Sequence, residues 1–454
     1  MAGIFKAYDI RGRFPDELDE LTAKKTGFAF SRLMNGTNVV IGRDSRLSSP
    51  PLAESFIEGY VAAGGSITDI GMTSTPLLYH TIISKKFGGG VMVTASHLPG
   101  DMNGFKLCRE DAIPLSEDQG LPALEKMVRE MSSGLPVPAG NGSCVKAIML
   151  DAYIDAISRY VQKPKSLLVA ADAGDGMAGP ELNPLFSRFP VWKILPLSLE
   201  PDGRFPHHGA NPFIASATRK LQDCVIDNNA DFGVAFDGDA DRCIFIDEKG
   251  ARISSDLATA LIAEYYLMKE PGSTILYDLR SSRVLQETID RLGGIGKRCR
   301  VGHAFIKTRM REENAIFAGE LSGHYYFRDM GYCDNGIFTM IQVLNLLAIK
   351  DEPLSRLIQP LRKYHSTGEV NMRVSTKEAV MVALGTAFSN GEIDYLDGIT
   401  AQYDSWWFNV RASNTEPLIR LNLEADTLPL MEKKKTEVLR VIRDTDPAMQ
   451  METE

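Results

Sequence analysis

The sequence predicts an α/β protein, and three observations carry that prediction. Short apolar runs ending at an aspartate recur three times: VVIGRDSR (39–46), LLVAADAGDG (ending at Gly176) and TILYDLRSS (274–282). Small or polar residues follow each run, and then a stretch of helical character, which is the grammar of strand–helix units. We read the recurrence as an internal repeat of one α/β domain, in three copies. After Gly368 the character changes. NMRVS reads as a strand, residues 376–389 as a helix, and WWFNVRAS and PLIRLNLEA as strands. A helix carrying the KKK run (433–435) closes the chain. This is a separate α+β unit of under about 100 residues. The tail DPAMQMETE is expected to fray.

At 454 residues the chain is too long for one hydrophobic core. Candidate linkers are SSGLPVPAGNGS (132–143), the turn EKG (248–250) and the stretch around Pro360 to Gly368. No run approaches the roughly 18 apolar residues of a membrane span, and the N-terminus lacks a signal-peptide pattern. The six cysteines are scattered, with no CxxC pair. That points to a reducing cytoplasm and away from structural zinc. A net charge of −9 argues against broad nucleic-acid binding. A locally basic cleft for a small anionic substrate remains compatible with it.

The densest chemistry lies in DFGVAFDGDADRCIFID (231–247). Asp237, Asp239 and Asp241 alternate with Gly238 and Ala240 between two apolar β-type runs, so they occupy a tight loop between strands. Three carboxylates this close repel one another in a partly dry site. A hard divalent cation such as Mg²⁺ or Ca²⁺ would neutralise them, and Arg242 suits an anion approaching that cation. Two other readings compete. One is a solvated acidic turn. The other is an EF-hand, for which Glu248 falls at position 12; but Arg242 stands at position 6, where the loop needs Gly, and the flanks read as strands.

Four further segments carry chemistry. GGVMVTASHLPGDMNGFK (89–106) places Ser96 and His97 just past a strand end, among small and turn residues that let backbone approach a ligand. Ser96 is a candidate nucleophile or phosphate carrier, or an ordinary turn serine. RASNTEP (411–417) packs Arg411, Ser413, Asn414 and Thr415 into a strand-to-loop turn, which suits a phosphate or is a plain Asx/ST turn. GELSGHYYF (319–327) sets Glu320, Ser322 and His324 between glycines, as a sugar-binding loop would; His324 is a candidate general base or a structural histidine. AYDIRG (7–12) offers Tyr8 and Arg11, YDLR offers Arg280, and VGHAFIK (301–307) offers His303 and Lys307.

TASHLPGDMNGFK, DGDADR, GELSGH and RASNTEP occur in this order, with YDIRG ahead of them. Together they resemble the α-D-phosphohexomutase family, in particular its bacterial phosphomannomutase/phosphoglucomutase branch, from about residue 4 to 430. The resemblance implies three related α/β domains with mixed sheets, plus a smaller C-terminal α+β domain, around a central cleft. With the linkers above, the expected units are 1–138, 139–249, 250–362 and 363–454.

The resemblance also implies roles. Ser96 would carry the phosphoryl group. Asp237, Asp239 and Asp241 would hold Mg²⁺, with a phosphoserine oxygen completing the site. Glu320 and Ser322 would grip sugar hydroxyls. Arg411, Ser413, Asn414 and Thr415 would bind the distal phosphate near Tyr8 and Arg11. Arg242, Lys106, His303, Lys307 and Arg280 would line the cleft. The proton acceptor would be His324, with His97 or His303 as alternatives.

The implied reaction is reversible phosphoryl transfer between positions 1 and 6 of mannose or glucose phosphate, with a hexose 1,6-bisphosphate as intermediate and activator. Phosphoglucosamine mutase is the nearest alternative, but Leu321 and Asn414 stand where that branch typically has Gln and Gly. A phosphoserine-type sugar phosphatase and a non-catalytic binding module are more distant ones. The expected protein is a cytoplasmic monomer. Two departures from the family pattern stand out: Leu98 where SHNP is usual, and Ala240 where Gly is common. The second is minor unless φ there is positive.

Overall fold

The computed structural model describes residues 3–131, 140, 142–412 and 418–452. Its described residues form four sheets, and the first three follow one plan. A central strand has a parallel neighbour on each side: Val39–Arg43, Leu167–Asp172 or Thr274–Asp278. These are the three runs the sequence singles out. Helices cover both faces of such sheets, so their strands are continuously apolar. One parallel neighbour then turns back into an antiparallel strand. The pairs are Gly89–Val93 with Met102–Arg109, Phe232–Phe236 with Cys243–Asp247, and Phe317–Gly319 with Tyr325–Phe327. A short outer strand completes that edge: Ile10–Arg13, Arg252–Ile253 or Cys333–Asp334. The serine loop, the acidic loop and the Glu320–His324 loop are therefore the same loop in three copies of one domain.

The sheets extend past the expected unit limits. Ser143–Lys146 lies beyond residue 138 yet pairs in parallel with Ser66–Met72 of the first sheet. Arg252–Ile253 lies beyond residue 249 yet completes the second sheet. In both cases the chain adds an edge strand after the turn that suggested a boundary. Residues 132–139 and 141 of the first linker lie outside the described residues.

The fourth sheet is wholly antiparallel, in the order Glu392–Asp394, Ile399–Tyr403, Trp406–Ala412, Leu418–Ala425, His365–Arg373, Gln450–Met451. Val380 and Leu384 of helix Lys377–Ala387 pack on it with Met431, Val438 and Ile442 of helix Leu428–Thr445. The described part of the tail, residues 446–452, does not fray as expected. Met451 and Gln450 pair with Met372 and Arg373, and the Asp446 carboxylate accepts hydrogen bonds from the Ser375 backbone and hydroxyl.

Core packing separates this domain from the rest. One continuous apolar cluster runs through the first three domains, joining Val40, Val169 and Ile275. The fourth domain has a core of its own. Its contacts with the third are polar: Arg283 donates to the carbonyls of Asp404 and Trp406, Arg298 pairs with Asp394, and Val301 N–H donates to Asp397. Interfaces of this kind permit relative domain motion. No helix among the described residues is long and apolar enough to cross a membrane.

One buried group makes stability depend on pH. Glu181, on helix Gly179–Arg188, is 1% exposed, and neither carboxylate oxygen has a hydrogen-bond partner. Burial pushes its carboxyl up to about 8. The folded state thus holds a proton that the unfolded chain has released, so stability falls as pH rises between the ordinary carboxyl range and about 8. Glu181→Gln never ionises. It should melt above the parent at about pH 8, with the gap closing toward about pH 5. Thermal melts across that range check it; a gap independent of pH would contradict this account.

Candidate active site

The three equivalent loops meet, and the closest contact joins the first two. Ser96 Oγ donates to Asp237 Oδ2 at 2.8 Å, and both residues are fully buried. His97 Nδ1 lies 3.4 Å from the same hydroxyl. Two backbone features make the approach possible. Ser96 takes φ 54°, a left-handed conformation costing a non-glycine residue about 1–2 kcal/mol. Gly238 leaves room for the serine loop: a Cβ there would stand 2.6 Å from the Ser96 carbonyl oxygen.

The acidic loop is neither a solvated turn nor an EF-hand. Asp237, Asp239 and Asp241 are at most 1% exposed, and the loop joins two antiparallel strands. One oxygen from each carboxylate lies within 4.8 Å of the others. Burial, then Asp241 and Asp239, hold the Asp237 carboxyl well above its usual range. Lys106 donates to Asp239 Oδ2 at 2.6 Å and also bonds Asp241, while Thr75 Oγ1 donates to Asp239 Oδ2 at 2.6 Å. Asp239 Oδ1 remains buried without a hydrogen-bond partner, and Asp241 Oδ1 has only the looser approach of His324 Nε2 at 3.4 Å. Such oxygens in a crowded carboxylate cluster are what a hard cation requires, so the residues fit a divalent metal. Ala240 does sit at positive φ, 62°, so the missing glycine costs about 1–2 kcal/mol, more than the minor effect expected.

The third loop is held by its own ion pairs. Glu320 accepts from Gly302 N–H at 3.1 Å and from Tyr326 OH at 2.8 Å. Its Oε2 lies 3.2 Å from His324 Nδ1, and Ser322 Oγ lies 3.1 Å from that nitrogen. On its other side, His324 Nε2 stands 3.4 Å from Asp241 and 3.2 Å from Arg242 Nε. Burial and Arg242 push the imidazole down, but Asp241 and Glu320 outweigh them, and its pKa rises to about 9. His303 differs. It opens helix His303–Glu312 and meets the Tyr8 ring edge-on at 4.7 Å. Neither of its ring nitrogens has a hydrogen-bond partner, and burial with Lys307 keeps it well below the usual range.

The fourth wall comes from the C-terminal domain. Glu369 gathers Arg280 at 3.1 Å, Arg411 at 3.3 Å and Arg420 at 3.1 Å. Against burial, these three arginines hold its carboxyl down at about 2. Ser413, Asn414 and Thr415 lie outside the described residues.

A cleft of about 900 Å³ adjoins these groups, with Ser96, Asp237, Asp239 and Asp241 buried behind its lining. Tyr8, Arg11, His97, Lys106, Arg242, Arg280, His303, Glu320, Ser322, His324 and Arg411 all line it, with Leu98 and Arg420. Leu98 replaces an amide on the wall with an apolar surface, as expected. Lys307 is not a cleft residue. Fully buried one helical turn beyond His303, its Nζ lies 2.8 Å from Asp334 and 4.0 Å over the Tyr79 ring. Sequence reasoning missed Thr75, Glu369, Arg420 and the buried pair Asp44 and Arg46. GRDSR was visible only as a strand end.

Known proteins share this arrangement. Models of the four domains of phosphoglucomutase/phosphomannomutase match residues 2–133, 151–250, 254–364 and 369–441. A Xanthomonas campestris protein named phosphohexose mutases is 38% identical over 445 residues, covering 97% of this chain and 99% of its own. The phosphomannomutase of Escherichia coli K12 is 37% identical over 452 residues, covering 97% and 99%. The crystal structure of a Burkholderia thailandensis phosphoglucomutase/phosphomannomutase family protein superposes with a TM-score of 0.90 at 31% identity, covering 99% of this chain and 98% of that one. The fold is that of the phosphohexomutases. The chain belongs to the phosphoglucomutase/phosphomannomutase family, a family of isomerases.

The ammonium of Lys106 and a divalent cation answer the same carboxylates. Lys106→Gln leaves the cluster without its nearest cation, so it should bind Mn²⁺ at least about tenfold more tightly than the parent. Electron paramagnetic resonance of free Mn²⁺ reads this directly; equal or weaker binding would refute it.

Proposed function

We propose that the protein is a phosphohexomutase moving a phosphoryl group between positions 1 and 6 of mannose or glucose phosphate, through phosphorylated Ser96 and a hexose 1,6-bisphosphate. The observation that carries this reading is the 2.8 Å contact between Ser96 Oγ and Asp237, buried directly behind His97 and Arg242 of a cleft whose other walls are a carboxylate–hydroxyl pair and an arginine cluster. When bound by Asp237, Asp239 and Asp241, Mg²⁺ supplies charge neutralisation at the phosphoryl oxygens.

The chain's own residues do the rest. Phosphorylated Ser96 gives its phosphoryl group to O6 of a hexose 1-phosphate, and the hydroxyl proton leaves to a base. Two observations support His303 as that base: its ring is held neutral, and both nitrogens lack partners. His324 is the weaker choice, because Asp241 and Glu320 raise its pKa and hold its proton more tightly. Glu320 and Ser322 face the cleft as sugar-hydroxyl partners. Arg411, Arg420 and Arg280 would hold the distal phosphate with Ser413, Asn414 and Thr415. After the bisphosphate turns over, the 1-phosphoryl group returns to Ser96. Closure of the fourth domain across its polar interface would exclude water from these steps.

The test is ³¹P NMR with Mg²⁺, a trace of hexose 1,6-bisphosphate, and mannose 1-phosphate or glucose 1-phosphate. The 6-phosphate signal should grow, and Ser96→Ala should slow its growth by at least about a thousandfold. Release of inorganic phosphate would make the protein a phosphatase, and turnover of glucosamine 1-phosphate alone would make it the aminosugar enzyme.

A further inference from the structure

Arg46 is the largest fully buried charged side chain among the described residues, at 0% exposure, and it meets the serine loop only through backbone carbonyls. Its five hydrogen bonds go to one place. Nη2 donates to the carbonyls of Ser96 at 2.7 Å and Leu98 at 2.8 Å; Nη1 donates to those of Pro99 at 2.5 Å and Met102 at 3.0 Å. Nε donates to Asp44 Oδ2 at 3.0 Å. The same Asp44 oxygen accepts from Thr94 Oγ1 at 2.7 Å, and Thr94 Oγ1 accepts from Ser96 N–H at 2.9 Å. Both ends of the serine loop are thus tied to one buried Asp–Arg pair at the end of the central strand. From the second domain, the Phe205 ring lies 5.0 Å from the guanidinium carbon, and Gly203 packs so closely that a Cβ would stand 2.2 Å from the Ser45 carbonyl oxygen.

We infer that Arg46 is a positioning residue for the reaction: its guanidinium, set by Asp44 and packed under Phe205, holds the Ser96 loop in the left-handed conformation that sets Oγ against Asp237. This rests on the reading of Ser96 as the phosphoryl carrier. The physical case is independent of that reading. A serine at φ 54° is strained, and such strain persists only where its surroundings over-determine it. Four loop carbonyls point inward and accept from Arg46, although that of Pro99 also accepts from Met102 N–H at 3.0 Å. A planar guanidinium satisfies all four at fixed angles; an ammonium on a flexible stem cannot. The third domain uses the same place for the same purpose. Asp278 ends its central strand, pairs with Arg280 and accepts from Leu321 N–H at 2.7 Å in the sugar-binding loop.

The test compares the parent with Arg46→Lys, which keeps the charge and loses the planar fork. Hydrogen exchange by mass spectrometry reads the loop without reference to activity. Amides of residues 94–102 should exchange at least about tenfold faster in Arg46→Lys, with the acidic loop unchanged. In turnover, kcat should fall at least about tenfold with KM within about twofold, because the ligand-binding groups stay in place. Unchanged loop exchange overturns the inference. So does a loosened loop with parental kcat, or a parallel loss of kcat and KM that tracks the melting temperature. Should the parent show no mutase turnover, the functional reading fails while the exchange arm still decides whether Arg46 holds the loop. Should Arg46→Lys not fold, Phe205→Leu decides in its place. It removes the ring over the guanidinium but no hydrogen bond, and it should loosen the same amides and lower kcat about threefold.

Discussion

The contact on which the site depends is the hydrogen bond between Ser96 and Asp237, because it joins loops from two domains across a distance that tolerates almost nothing else. It explains the backbone around it. Ser96 and Ala240 accept left-handed φ, and Gly238 gives up its side chain so that the Ser96 carbonyl can pass. Each costs stability or freedom locally. The large apolar core shared by the first three domains keeps the two loops in register. Had the domains been joined by a polar hinge, as the third and fourth are, a contact of this precision would be lost to motion.

Charge organises what geometry brings together. The carboxylate cluster takes Lys106 as an internal cation, and the arginine cluster takes Glu369 as an internal anion. Both arrangements satisfy the rule that buried charges are paired. A cation arriving at the first cluster would therefore compete with an ammonium, and an anion arriving at the second with a carboxylate. Such exchange costs less than filling a site of bare like charges, whose folding would be opposed by their repulsion. His324 lies at the seam, within reach of Asp241 from the second domain and Glu320 from its own. It links the electrostatics of the metal-type loop to the sugar-type loop.

Much of this was legible in the sequence, for reasons that are physical. Strands buried on both faces read as unbroken apolar runs, so the three central strands and their terminal aspartates stood out. Local chemistry was legible too: Asp237, Asp239 and Asp241 are close in the chain and therefore close in space. What escaped depends on distant partners. Arg46 and Ser96 are fifty positions apart, as are Arg420 and Glu369 to within one. Lys307 was misjudged because a lysine one turn beyond a cleft histidine can turn inward to meet Asp334. Ala240 was misjudged because its φ is set by the crossing of two loops and not by its own residue type. The strand Ser143–Lys146 and the tail strand Gln450–Met451 were missed for a related reason: an edge strand needs only one neighbour, so its pattern is short and weak.

The threefold repeat explains why the functional loops could diverge while remaining in contact. Each occupies the turn between a parallel strand and its antiparallel neighbour, a position fixed by the sheet. The terminal aspartate of the central strand stays in all three copies and holds backbone beside it: Asp44 bonds Arg46 N–H, Asp172 bonds Gly174 N–H, and Asp278 bonds Arg280 N–H. Only its side-chain partner changes, from Arg46 to His208 to Arg280. The same anchor therefore serves the serine loop in one domain and the Glu320–His324 loop in another. In the third copy the arginine reaches past its own domain to Glu369. There the repeat meets the one domain that takes no part in the apolar cluster shared by the other three.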